Sequence, residues 1–231
     1  MHRPIWPILI LTVLCDSSIT LGQYYFVMGY YRERVFPWLV EHLLSGDELE
    51  VIRDRVVGRA TGHVIEIGSG TGTNFLCYAK TITSLTTVDL NPGMNKRARP
   101  RIKYLEFPVD TREISCDDLP MNAASFDCAV TTLTLCSLVD IEKCLREIYR
   151  VLKPGGHLLF LEHGLSDAED VERWQRRITP LQRQLCDGCH LNRPIDALVR
   201  NAGFVIEEMS NYYLEKVPRV FGYMYEGIAR K

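Results

Sequence analysis

No stretch of this 231-residue sequence stays apolar long enough to cross a membrane as one helix. Its most apolar run, Ile5 to Cys15, would span about 16 Å as a helix, roughly half a bilayer core. No charge of one sign dominates either. The 27 Lys and Arg stand against 29 Asp and Glu, a net charge of −2, which excludes a generally basic nucleic-acid binder. There is no internal repeat and no low-complexity tract. Hydrophobic residues at 46% and charged residues at 24% exclude disorder, collagen and coiled coil as whole-chain forms. The chain has no second C-x-x-C pair to accompany Cys186-Asp187-Gly188-Cys189. A structural zinc site usually draws four ligands from two such pairs, so no metal site is expected. The eight cysteines are irregularly spaced and mostly fall in strand-like or helix-like segments. That suits buried reduced thiols better than a disulfide framework.

What is present is uneven. The first 45 residues hold an excess of Trp, Tyr, Leu and Ile. Ile5–Cys15 reads as a signal-peptide core, a membrane-dipping anchor or a buried helix. Gln23 to Leu44 is an amphipathic helical pattern, with Tyr24, Tyr25, Met28, Tyr31, Val35, Trp38 and Leu39 on one side. Ser45-Gly46-Asp47 breaks it and starts a helix from Glu48 to Val57.

Strands and helices then alternate. Strands are expected at His63–Ile67, Ser84–Val88, Lys103–Phe107, Phe126–Leu133 and His157–Glu162, with two more at Phe204–Met209 and Gly222–Ala229. Helices are expected at Thr73–Lys80, Met94–Ala98, Ile141–Leu152, Asp167–Gln184 (interrupted at Pro180) and Pro194–Ala202. Alternation of this kind implies an α/β fold, Rossmann-like and doubly wound. Its seven-stranded sheet would be mostly parallel, and the last strand antiparallel through a closing hairpin.

The informative stretch is Glu66-Ile67-Gly68-Ser69-Gly70-Thr71-Gly72. It follows the first strand, and glycines there let backbone approach a ligand closely. Asp89 ends the second strand, where a carboxylate can accept both ribose hydroxyls. The spacing is G-x-G-x-G and not the dinucleotide fingerprint G-x-G-x-x-G, which disfavours an NAD-dependent dehydrogenase. The acidic Glu66 beside the loop suits a cationic adenosine cofactor better than a pyrophosphate.

These residues resemble class I S-adenosylmethionine-dependent methyltransferases. The glycine run looks like that superfamily's first motif, and Asp89-Leu90-Asn91-Pro92-Gly93-Met94 like its second. Asp118 to Asp127 and Leu145 to Gly156 resemble the stretches before its fourth and fifth strands. The resemblance implies S-adenosylmethionine as methyl donor, held by Glu66, Gly68, Ser69, Gly70, Gly72, Asn74, Asp89, Leu90, Asn91, Thr132 and Leu133. For the adenine it implies Ser115 and the backbone of Cys116 and Asp117. It divides the chain into an N-terminal helical segment, 1–60, serving as anchor or substrate lid, and a methyltransferase domain, 61–231. Four further pieces look like the membrane-associated alkyl thiol methyltransferases of endoplasmic reticulum and lipid droplets: Thr132–Ser137, Glu162-His163, Trp174-Gln175 with Pro180, and Asp187–Arg193. A small lipophilic thiol is therefore the expected acceptor. Phospholipid or quinone methylation, and a catalytically silent cofactor-binding protein, are the alternatives.

A thiol must lose its proton to react. His163, just after the fifth strand, is the candidate catalytic proton acceptor; the competing reading has it bonding backbone or Glu162 and shaping the pocket. Cys189 and His190 line the acceptor pocket or merely follow a turn at Asp187-Gly188. Arg193 is expected to pair with Asp187 or an anionic head group. The run Lys96, Arg97, Arg99, Arg101, Lys103 is either a solvated face or a contact with an anionic membrane. No nucleic-acid partner is expected, because no aromatics interleave these charges.

Overall fold

The structure, a computed structural model, describes residues 21–44 and 46–231. The expectations for Ile5–Cys15 and for Ser45 lie outside the described residues. The chain runs through α1 (Leu21–Tyr30), a π turn at Tyr31–Val35, α2 (Phe36–Leu43), α3 (Asp47–Val57), β1 (Gly62–Ile67) and β2 (Ile82–Val88). It continues as α4 (Pro92–Ile102), β3 (Val109–Arg112), β4 (Phe126–Thr132), α5 (Ile141–Val151), β5 (Leu152–His163) and α6 (Glu169–Leu185). It ends as α7 (Ile195–Asn201), β6 (Val205–Tyr213), α8 (Arg219–Gly222) and β7 (Tyr223–Arg230).

The sheet has seven strands in the order β3-β2-β1-β4-β5-β7-β6. The first five are parallel, and β7 is antiparallel to both β5 and β6. The expected hairpin therefore forms, with its second strand inserted against β5. This is the Rossmann-like doubly wound fold, with strand order reversing between β1 and β4. One core lies between the sheet and the α5–α7 side, where Leu145, Ile148, Leu158 and Phe160 are fully buried. The other, under α3, gathers Val57, Val64, Leu85 and Leu161. Helix α5 forms because Ile141, Cys144, Leu145, Ile148 and Val151 share one buried face and Asp140 accepts from the Lys143 amide at 2.9 Å as its cap.

Three expected elements differ. Thr73–Lys80 is no helix but a single 3-10 turn at Phe75–Cys77. Tyr78 takes an extended backbone there, because its hydroxyl is drawn into the core to reach Glu66 at 3.0 Å. Lys103–Phe107 is the connection after α4, and the third strand starts only at Val109, opposite Leu85. Pro180 does not interrupt α6, which runs unbroken for 17 residues.

The N-terminal helix is continuous through its π turn. Pro37 has no N–H to give the Glu33 carbonyl, and the Phe36 amide reaches back to Tyr31. The loosened Arg32 carbonyl instead accepts from Asn91 Nδ2 at 3.0 Å. A side chain at Gly93 would collide with the Glu33 carbonyl, so glycine there is what lets this helix sit on the start of α4. Farther along, Glu41 pairs with Arg97 and Arg101. At the other flank Tyr31 donates to the Leu185 carbonyl at 2.7 Å, and Arg32 meets Asp187 at 2.5 Å. The helix thus bridges the segment after β2 and the segment after α6.

Cys116 and Cys144 form a disulfide with Cα atoms 5.1 Å apart, so the expectation of reduced thiols fails for this pair. Cys77, Cys128, Cys136, Cys186 and Cys189 are unpaired, as expected. The reason is tertiary: Cys116 follows β3 and Cys144 sits on the buried face of α5. Among the described residues, no helix is long and apolar enough to cross a membrane.

Candidate active site

The glycine loop leaves β1 with Gly68, Gly70 and Gly72 all at positive φ. Behind it Glu66 is wholly buried. Its Oε1 accepts from Asn74 Nδ2 at 2.8 Å and its Oε2 from the Tyr78 hydroxyl. Burial pushes the Glu66 carboxyl up to about 7, against the pull of those two hydrogen bonds. Asn74 Nδ2 also lies 2.8 Å from Thr132 Oγ1, which ties the loop to the end of β4. Asp89 Oδ2 accepts from the Gly70 amide and Oδ1 from the Asn91 amide, both at 2.8 Å. Burial raises its carboxyl above the ordinary range.

Asn91 is occupied as the cap of α4, accepting from the Gly93 and Met94 amides; it supports the site from beneath. Leu90 is exposed beside Asp89. The segment from Cys116 to Met121, which includes residues expected to meet the adenine, is held from α5 by three links. Cys116 bonds Cys144, the Leu119 amide donates to Glu147 at 3.0 Å, and Arg150 donates to the Leu119 and Met121 carbonyls at 2.8 Å.

At the end of β4 the backbone makes a strained step, with Leu133 at φ 51°. The next two amides, of Thr134 and Leu135, donate to the fully buried Glu162 at 2.9–3.1 Å. Burial lifts the Glu162 carboxyl to about 7. Thr134 Oγ1 lies 3.2 Å from the Gly68 carbonyl, so this turn abuts the glycine loop. Neither role expected of His163 toward backbone or Glu162 appears. Its Nε2 instead lies 3.1 Å from Cys189 Sγ. Burial opposes protonation of the ring, yet the Cys189 sulfur and Glu162 hold its pKa above the ordinary value. The Cys189 thiol is raised by its contact with Cys136 and by burial.

Asp187 and Gly188 do make the expected turn, both at positive φ. Arg193 pairs with neither Asp187 nor an open face. It donates to the Leu135 and Leu138 carbonyls, while Asp187 pairs with Arg32. His190 lies against the Cys136 carbonyl, ring Nδ1 at 3.2 Å and amide at 2.8 Å. The structure thus brings together Glu66, the glycine loop, Asn74, Asp89, Thr132 and Leu133, with Ser115–Asp117 anchored to α5. Sequence reasoning missed Tyr78, Thr134, Glu147 and Cys136 as parts of the site. For Thr134 and Cys136 the run Thr132–Ser137 is a local signal, and for Glu147 the run Leu145–Gly156; Tyr78 has none.

The loop has unfilled hydrogen-bonding capacity. Ser69 Oγ, Thr71 Oγ1 and Asn74 Oδ1 are buried without protein partners. A Cβ at Gly70 would meet nothing nearer than 3.9 Å. Unsatisfied polar atoms, bare backbone and a buried carboxylate suit the charged amino-acid end of S-adenosylmethionine, and Asp89 suits its ribose. No helix of useful length follows the loop, so the positive end of a helix plays no part here.

Comparison with known proteins agrees. The methyltransferase domain family matches residues 65–160. Thiol S-methyltransferase TMT1B of Rattus norvegicus is 36% identical over 135 residues, covering 56% of this chain and 54% of that protein. Demethylmenaquinone methyltransferase of Tropheryma whipplei is 34% identical over 109 residues, covering 47% of this chain and 45% of that protein. The chain therefore spans about half the length of these relatives. Among solved structures, an S-adenosylmethionine-dependent methyltransferase of Thermotoga maritima superposes with a TM-score of 0.62 at 20% identity, covering 90% of this chain and 99% of that one. Residues 65–160 thus match the methyltransferase domain family, and the fold is the one seen in solved S-adenosylmethionine-dependent methyltransferases.

Proposed function

We propose that this protein transfers the methyl group of S-adenosylmethionine to the sulfur of a small lipophilic thiol. The observation that carries the reading is the 36% identity to a thiol S-methyltransferase. The loop geometry supports the cofactor half of it. The identity to a demethylmenaquinone methyltransferase supports a second reading, methylation of a quinone ring.

Bound S-adenosylmethionine supplies a methyl group already activated on a sulfonium sulfur. The protein's work is to hold and align. Glu66, Asn74 Oδ1, the Ser69 and Thr71 hydroxyls and the bare backbone at Gly70 hold the amino-acid end. Asp89 holds the ribose. Ser115, the Cys116 and Asp117 amides and the apolar Leu90 receive the adenine. Thr132 and Leu133 border the methyl end, and the acceptor sulfur must lie on the methyl axis at about 3–3.5 Å. The acceptor enters near His163, at the C-terminal end of β5, where open α/β sheets take ligands. The cofactor would supply the methyl group to an acceptor sulfur whose proton has passed to solvent, and the residues named here would hold the two sulfurs in line.

We place the protein at a cytosol-facing membrane surface of endoplasmic reticulum or lipid droplet, held by Ile5–Cys15. Of the basic run, Arg97 and Arg101 are consumed by Glu41, which leaves Lys96, Arg99 and Lys103 as the charges for an anionic surface.

The test is incubation of the purified protein with methyl-labelled S-adenosylmethionine and a panel of thiols, quinones, amines, phenols and phospholipids. Label confined to thiols supports the proposal, and label in quinones alone favours the second reading. Tight cofactor binding with no labelled acceptor would reject both in favour of a silent binding protein.

A further inference from the structure

We infer that Cys136 Sγ, His163 Nε2 and Cys189 Sγ form a three-ligand site for a thiophilic divalent metal, zinc by its chemistry, whose open fourth position takes the acceptor thiol. The thiol's part in this rests on the function proposed above; the metal site does not.

Geometry comes first. The three ligand atoms all lie within 4.8 Å of one another, and His163 Nε2 stands 3.1 Å from Cys189 Sγ. Tetrahedral zinc, with bonds of about 2.3 Å to sulfur and 2.0–2.1 Å to nitrogen, sets its ligand atoms about 3.5–3.8 Å apart. Three side-chain ligands with one position left open is the arrangement of catalytic zinc, and two cysteines with one histidine is among its known donor sets.

The surroundings hold these atoms in place. The segment bearing Cys189 is stitched to the loop bearing Cys136 by the His190 amide to the Cys136 carbonyl at 2.8 Å and by Arg193 to the Leu135 and Leu138 carbonyls. Gln182 Nε2 lies 3.7 Å from Cys189 Sγ, placed to donate to a thiolate. Cys136 and Cys189 are 2% and 6% exposed, and of the three only His163 keeps partial solvent access. Two buried thiolates balance one divalent cation, and a neutral imidazole adds no charge.

Position gives the site its use. Cys136 follows Thr134, which touches the Gly68 carbonyl, and His163 ends β5. A thiol bound to the metal releases its proton to solvent and remains a nucleophile. Its sulfur forms the new bond to methyl as the sulfonium–carbon bond breaks, and the neutral thioether is a poorer ligand and departs. No electron is gained or lost by the metal. His163 then acts as a ligand, in place of the proton acceptor that sequence alone suggested.

The test uses the full-length protein after chelator treatment, titrated with Co²⁺ and separately with Zn²⁺. One equivalent of Co²⁺ should bind with thiolate-to-cobalt charge-transfer absorption. That absorption should be lost in Cys136→Ser and Cys189→Ser and retained in Cys186→Ser, whose thiol lies outside the cluster. Alkyl thiol turnover should fall about tenfold or more on chelation and return with Zn²⁺, with cofactor affinity unchanged. Failure of the wild-type protein to bind either metal overturns the site, as does a Cys136–Cys189 disulfide found in its place. Undiminished thiol turnover after chelation overturns the metal's role and leaves the thiol reading standing. Stoichiometric metal with no thiol methylated overturns the acceptor and leaves the metal site standing.

Discussion

At the residue scale, Glu66 shows how burial sets chemistry. Its pKa is about 7 in the fold against 4.5 ordinarily. A raised acid binds more protons folded than unfolded. Its contribution to stability is therefore full below 4.5 and is lost as pH rises through about 7. Glu66→Gln removes that dependence. In thermal unfolding without cofactor, the wild type should lose stability relative to the variant between about pH 5 and pH 8. Cofactor affinity should fall roughly tenfold in the variant, the cost of one charge-assisted contact, as read by calorimetry. A gap in melting temperature that does not change with pH would contradict this account. Gly70→Ala probes the neighbouring requirement. At φ 55° an alanine costs about 1–2 kcal/mol, and its methyl enters the space assigned to the ligand. Cofactor affinity should therefore fall by more than stability does, a difference that denaturation and binding curves on the same variant would resolve.

Residue-scale chemistry was only partly legible. The glycine loop and Asp89 were readable because a strand, a tight turn and a carboxylate lie close together in sequence. Tyr78 was not, because its partner Glu66 is chosen by depth in the core. Asn91 was legible as a site residue, but its side chain is spent capping α4.

At the element scale, α5 positions the Cys116–Met121 segment, to which the proposed function gives the adenine. Glu147 accepts from the Leu119 amide and from Arg150, which in turn holds the Leu119 and Met121 carbonyls. The Arg150 guanidinium, foremost among its partners, keeps the Glu147 carboxyl below its ordinary value. Glu147→Ala orphans an amide and loosens Arg150, so a loss of about 1–2 kcal/mol of stability is expected. Its KM for S-adenosylmethionine should rise while kcat is preserved, because no reacting atom is touched. A fall in kcat at constant KM would place α5 in a different role. The N-terminal helix is the second such element. Its Arg32–Asp187 pair is more than half exposed on the arginine side and is worth at most about 1 kcal/mol. Tyr31, buried with its hydroxyl on the Leu185 carbonyl, fixes the helix more firmly. Tyr31→Phe should cost about 1 kcal/mol and raise the acceptor's KM more than the cofactor's, as steady-state kinetics would show. The amphipathic period over Gln23–Leu44 disclosed the helix but not its π turn, which Pro37 and the fit against Gly93 produce together.

At the scale of the whole molecule, membrane contact is a question of two forces. If Ile5–Cys15 carries the attachment, vesicle binding of the full chain should survive high salt. If Lys96, Arg99 and Lys103 carry it, binding should weaken steeply with salt and with Lys96→Glu and Arg99→Glu. Sedimentation with anionic and neutral vesicles separates the two.

The sequence by itself determined the alternating layout, the parallel sheet with its closing hairpin, the glycine loop and the acid that faces it. These features are local periodicities and short spacings, which a chain expresses before it folds. Only the tertiary structure decided the rest. It set β7 between β5 and β6, and it drew Tyr78 inward at the cost of a helix. It joined Cys116 to Cys144 across 28 residues, and it turned Arg193 to the loop after β4. Above all it gathered Cys136, His163 and Cys189 from three separate strand and helix ends. Residues that distant in sequence become neighbours only when the sheet aligns its strand ends and buries what lies beyond them.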